Sequence, residues 1–198
     1  SACESAPFSI SERFSDIGRK NLGYTIASAV DFNKAKINDV KFISGVYDLN
    51  EKPSKGEIVL QRILALKTFF EITIKDDVFC AIIERQVPSN LIAMELMYSV
   101  VSFISKYTNN IYIFDPKLKF NTIGQTYNTR NKEHKKQSIN NMYKFISSVK
   151  NPCFNELETL LKDAKKRDDI ADSFNQLIIY ACMNEYIDLD ISELKKLF

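Results

Sequence analysis

The run Val78-Phe79-Cys80-Ala81-Ile82-Ile83 limits this chain's choice of fold more than any other stretch. Alternate side chains of a strand point to opposite faces, so an unbroken apolar run suits a strand buried on both sides. Such a strand needs one covering layer above it and another below. Strand patterns also appear at 10–15, 24–30, 41–49 and 111–114, and helical spacing at 57–74, 89–107 and 192–197. Further helices are expected around Ile139, Met142, Tyr143 and Ile146, after Pro152, and from about Asp169 onward. Three strands, helix, strand, helix, strand, then helices predicts an α/β fold whose mixed five-stranded sheet is flanked by helices. At 198 residues the chain suits one domain over 1–198, with residues 1–9 expected as a flexible leader.

Composition narrows the function. Hydrophobic residues at 45% and charged residues at 26% describe a globular chain. A net charge of only +2 means that any nucleic-acid surface must be a local patch. Lys117, Lys119, Arg130, Lys132, Lys135 and Lys136, against Glu133, form one. Four cysteines lie far apart and there is a single histidine, which argues against structural zinc or a disulfide framework and fits a reducing compartment. The apolar stretch 91–104 is interrupted by Glu95 and Ser99, too short and polar to span a bilayer, and residues 1–10 lack a signal-peptide pattern. The helix at 89–107 is nonetheless apolar almost all round. Leu91, Met94, Met97, Val101 and Ile104 exceed what one sheet contact needs, so a homodimer contact is expected there, the alternative being burial deep in the core.

The chemistry lies in acidic residues. On the last long helix Asp169 and Asp172 stand three apart on one face, where two like charges repel unless a cation joins them. Glu84 ends the fourth strand, at the sheet edge where ligands of α/β proteins bind. Asp16 ends the first strand. If those two strands are neighbours, as crossover rules favour, all four acids reach one place. Oxygen-only ligands select Mg²⁺, or Mn²⁺ in its stead, and two such ions can drive an in-line phosphoryl displacement. This is the pattern of a metal-dependent nuclease, with 117–136 neutralising DNA phosphates. More ordinary readings stand beside it. Asp169 and Asp172 could complement the helix dipole, Asp168 is expected as the helix N-cap, Arg85 could position Glu84 or touch phosphate, and His134 suits a solvated surface. An ATP-dependent phosphotransferase of actin-like fold would need glycine-rich phosphate loops, and beyond Gly18 and Gly23 only Gly45, Gly56 and Gly124 remain, unclustered. A catalytically inactive DNA-binding module is the other alternative.

Asp16-Ile17-Gly18-x-Lys20-Asn21, then Ile83-Glu84-Arg85-Gln86, then Asp168-Asp169-Ile170-Ala171-Asp172-Ser173-Phe174-Asn175 resembles the Holliday junction resolvases of poxviruses. Lys135-Lys136-Gln137-Ser138 is similar to a K-K-x-S that precedes a helix in those enzymes. The resemblance covers about residues 10 to 185. It implies an RNase H-like fold of the RuvC type and a homodimer that makes paired, symmetric, Mg²⁺-dependent nicks in four-way and other branched DNA. No membrane and no nucleotide cofactor are expected. It also implies a role in resolving genome concatemers in the host cytoplasm, the mitochondrion being the alternative location of related enzymes. Carried over by residue, Asp16, Glu84, Asp169 and Asp172 become ligands of two ions, and Lys135 or Lys136 the cation nearest the scissile phosphate. Lys20, Asn21 and Gln86 become junction contacts, with Arg85, Arg130 and Lys132 as further DNA-binding candidates. The departure from the pattern is the first strand, which carries Glu12, Arg13 and Ser15 where the family is apolar up to the aspartate.

Overall fold

The computed structural model describes residues 8–13, 21–49, 58–74, 78–125 and 131–198. Its strands are β1 (Phe8–Arg13), β2 (Asn21–Ser28), β3 (Lys41–Asp48), β4 (Val78–Glu84) and β5 (Ile111–Phe114). Its α-helices are α1 (Ile58–Thr73), α2 (Leu91–Ile104), α3 (Pro116–Asn121), α4 (Asn131–Ser148), α5 (Phe154–Asp163), α6 (Arg167–Met183) and α7 (Ile191–Leu197). The strands follow the order β3-β2-β1-β4-β5. β2 and β3 form an antiparallel pair, β4 and β5 a parallel pair, and β1 lies between, antiparallel to β2 and parallel to β4. The class is α/β with strands of both senses.

The apolar run of β4 does what its pattern requires. Cys80 and Ile82 enter a core on one side of the sheet, with Phe42, Phe145 and Phe174. Ala81 and Ile83 enter a second core on the other side, with Leu66, Phe69 and Phe70. Phe79 departs from it: the register between β1 and β4 slips from Phe8–Val78 to Ser9–Cys80. This bulge turns its ring outward, 38% exposed, against Phe32 and Tyr186 at 5.6 and 5.1 Å.

Helices α1 and α2 cover the second core, and they answer in part for the surplus of apolar residues on α2. Met97 and Ile104, expected at a dimer contact, are buried in the protomer's own core because α1 lies against α2 above the sheet. Leu91 at 72% exposure faces outward, as does Tyr98, while Met94 and Val101 are half-buried. On the other side α6 runs across β1, β2 and β3 and is itself covered by α4, α5 and α7. It is therefore not a surface helix with one apolar stripe: every residue from Asp169 to Cys182 is buried. Among the described residues no helix is long and apolar enough to cross a membrane.

Candidate active site

Burial of all of α6 gives its polar residues meaning, since charged side chains are almost never fully buried unless paired. Asp169 and Asp172 retain 3% and 4% of their surface, and Glu84, at the end of β4, 4%. The sheet register brings these acids to one edge. Gly23 of β2 pairs with Arg13 of β1, and Glu12 of β1 with Ile83 of β4, so the next row leads to Glu84. Asp169 lies over that row, because a Cβ added to Gly23 would stand 2.6 Å from its carbonyl oxygen and 2.9 Å from its own Cβ. Glycine is what lets the first turns of α6 approach the strand so closely.

One turn further along, Asp172 meets a cation that the sequence reading had placed in the basic patch and not at the acids. The Lys119 ammonium is 2.7 Å from Asp172 Oδ1 and 4.0 Å from Glu84 Oε2. Lys119 is 2% exposed and its ammonium also lies 5.2 Å from the centre of the Phe120 ring. The start of the basic segment folds as α3, capped by Asp115, which accepts from the Lys117 amide; Lys117 is exposed as a patch requires, and Lys119 is not. The signal was Lys119 itself, set between Leu118 and Phe120. Two carboxylates that close need this ammonium: an unpaired buried charge would be severely penalised. Asp172 Oδ1 also accepts from the Ser138 hydroxyl of α4. Ser138 in turn accepts from Asn175.

Other expected residues separate into those drawn to this edge and those that are not. Lys135 pairs with Asp168 at 2.5 Å, tying α4 to the start of α6. Asp168 is consequently not the N-cap; α6 starts at Arg167 after Lys166, whose side chain caps nothing. Burial by itself raises the Asp168 carboxyl, but the hydrogen bond and charge of Lys135 outweigh it and hold the group below its ordinary 3.8. Lys136 is exposed and lines an outer groove with Gln125, Gln137 and Lys144. Gln86 is buried and folds its amide back to the Glu84 carbonyl at 3.3 Å, bracing the strand end, while Arg85 is exposed. Asn21 opens β2 opposite Asp48. His134 is half-buried, edge-on to Phe120 at 5.1 Å, and not the solvated residue its basic surroundings suggested. Asp16, Lys20 and Arg130 lie outside the described residues, and Lys132 falls in the first turn of α4.

The donor set is all carboxylate, the chemistry of a hard divalent cation. Among the described residues no three His, Cys, Asp or Glu side chains gather closely enough to hold one, and it is Lys119 that joins Glu84 to Asp172. Glu84 and Asp172, with Asp169 beside them on α6, are the residues here that would hold such an ion.

Fold and site together define an α/β protein with a buried carboxylate–lysine cluster at the carboxyl end of an inner strand. Comparison with known proteins gives the family. The model for the poxvirus A22 protein matches residues 14–185, and the chain belongs to that family. Among solved structures it is similar to the fowlpox virus resolvase, described in complex with its substrate Holliday junction DNA. The TM-score is 0.55 at 21% sequence identity, over 87% of this chain and 97% of the other. Comparison by sequence with curated proteins finds no match.

Proposed function

We propose that this chain is a Holliday junction resolvase: a divalent-metal-dependent, structure-selective endonuclease that places paired, symmetric nicks in four-way DNA. The single observation that carries the reading is the joining of Glu84 and Asp172, 88 positions apart in sequence, through one buried ammonium at a sheet edge. Membership of the poxvirus A22 family and likeness in fold to a resolvase described with Holliday junction DNA support it. We read the sheet order as the RNase H-like arrangement of five strands, with β1 completing it.

Glu84, Asp169 and Asp172, with Asp16, would hold two Mg²⁺ ions, or Mn²⁺ in their place. Bound there, the ions supply Lewis-acid stabilisation of the phosphoryl oxygens and a nucleophile at neutral pH. The chain's own residues do the rest. Burial at the edge keeps bulk water from screening the charges, Lys119 offsets the carboxylates' repulsion, and exposed Lys117 and Lys136 meet the phosphate backbone. A symmetric pair of nicks calls for two copies, and the outward side of α2 with Leu91, Met94 and Val101 is the contact we assign to them. Leu91→Lys should then shift the protein to monomer in sedimentation; an unchanged dimer would place the contact elsewhere. Host cytoplasm, where the implied concatemers form, is the location that follows from this reading.

Incubation with a labelled four-way junction and Mg²⁺ tests the function. Paired nicks at opposed positions are expected from wild type, and binding without cutting from Asp172→Asn. Wild type that binds but never cuts would instead favour an inactive DNA-binding module, and ATP turnover without DNA cleavage would favour the phosphotransferase.

A further inference from the structure

Ser138 and Asn175 are both 1% exposed and sit on different helices; the Ser138 hydroxyl reaches the carboxylate of Asp172, and the Asn175 amide reaches Ser138. Asn175 Nδ2 is 2.8 Å from the Ser138 carbonyl oxygen and 3.0 Å from Ser138 Oγ. A carbonyl oxygen only accepts, which fixes the amide of Asn175 with its nitrogen toward Ser138. The Ser138 hydroxyl therefore accepts from Asn175 and has its own proton to give. An ionised carboxylate only accepts, so that proton goes to Asp172 Oδ1. The same Oδ1 takes the Lys119 ammonium at 2.7 Å. Two donors on one oxygen set the rotation of the carboxylate about its Cβ–Cγ bond.

We propose that Ser138 and Asn175 are positioning residues acting in series on Asp172: Asn175 aims the Ser138 hydroxyl, and the hydroxyl holds the carboxylate in the orientation that receives a divalent cation. The inference rests on the metal reading of the site given above. Ligand carboxylates are commonly held by such outer hydrogen bonds, whose loss costs about 10–100-fold in metal affinity. Ser138 lies on α4 and Asp172 and Asn175 on α6, so the relay also couples the packing of these helices to the aim of the ligand. It accounts for two of the polar residues buried on these helices, beside Met142 and Phe145 on α4 and Phe174 on α6.

The test is Mn²⁺ binding by the DNA-free protein, followed by electron paramagnetic resonance, for wild type, Ser138→Ala, Asn175→Ala and the double variant. Ser138→Ala removes one oxygen from a helix and is expected to fold. Its Mn²⁺ affinity should fall about 10–100-fold, and the Mg²⁺ concentration for half-maximal nicking should rise in proportion. Because the residues act in series, Asn175→Ala added to Ser138→Ala should weaken Mn²⁺ no further, whereas independent structural effects would multiply. Equal Mn²⁺ affinity in wild type and Ser138→Ala overturns the relay while leaving the metal reading intact; multiplying effects overturn the serial order. Wild type that binds no Mn²⁺ overturns the metal reading, and the relay with it. If Asn175→Ala does not fold, Ser138→Ala alone decides.

Discussion

Replacing Gly23 with alanine tests how closely α6 must sit on the sheet for the site to work. The added Cβ would lie 2.6 Å from the Asp169 carbonyl oxygen, 2.9 Å from its carbonyl carbon and 2.9 Å from its Cβ. Ordinary contact starts at 3.4 Å, so the first turn of α6 must lift by roughly 0.8 Å. These are backbone atoms and a Cβ in a buried helix, which cannot swing aside as a side-chain tip can. Overpacking of this kind costs about 1–3 kcal/mol. Alanine returns about 0.5–1 kcal/mol by restricting the unfolded chain and suiting the strand better. The net loss is about 0–2.5 kcal/mol, or a drop of at most about 10 °C in melting temperature for a domain of this size. Activity should suffer more than stability, since about 1 Å of misplacement can cost on the order of 100-fold in rate. The expected result is a 10- to 100-fold fall in the single-turnover nicking rate on a four-way junction, at saturating Mg²⁺, with junction affinity little changed. Gly45→Ala is the control for overpacking away from α6, because its added Cβ would meet the Tyr24 hydroxyl and ring at 2.7–3.0 Å, a side chain and not the backbone of a helix that carries the acids. Full nicking activity in Gly23→Ala, or equal losses in both variants, would refute the argument that the depth of α6 sets the position of Asp169.

Lys119→Met leaves Glu84 and Asp172 without their shared cation, and breaking a buried pair costs about 3–5 kcal/mol. The melting temperature in EDTA should fall by about 6–20 °C and recover in part with Mg²⁺; a melting curve in EDTA that matches wild type would show the ammonium contributes nothing. Asp168 is held below its ordinary 3.8 in the fold, so it binds protons more readily unfolded and its stabilisation is present above that pH. That contribution is lost as pH falls below 3.8 toward the folded value, so Asp168→Asn should melt lower than wild type at pH 6 and converge with it in strong acid. Lys135 is part exposed, so the gap at pH 6 should be under about 1 kcal/mol, and a constant gap across the range would contradict the pairing. Burial, with the charges of Asp190 and Glu193, pushes the Cys182 thiol up to about 12. Among the described cysteines, half-buried Cys153 should therefore react first with a thiol reagent at pH 8 in the native protein, and rapid labelling of Cys182 would mean that α6 opens.

How much of this was legible in the sequence differs between elements. The strand at 78–84 was readable because an apolar run serves both faces of a sheet whatever covers them. The positions of Asp169 and Asp172 were readable as like charges three apart on one helix face, and that of Glu84 as a carboxylate closing an apolar strand. The α2 residues were harder: periodicity says that Met97 and Ile104 are apolar on a helix, but not whether α1 or a second copy covers them.

By itself, then, the sequence determined which segments alternate, where the carboxylates fall on them, and that a sheet needs layers on both sides. These depend on local geometry, fixed by the periods of strand and helix. Tertiary structure alone decided that α6 is enclosed on every side, that Gly23 yields its space to Asp169, and that Lys119 and Ser138 meet at Asp172 with Asn175 behind Ser138. Each is a contact between residues remote along the chain, and a buried lysine and a solvated one are spelled alike. What tells them apart is the desolvation of charges, and this depends on every layer packed around them.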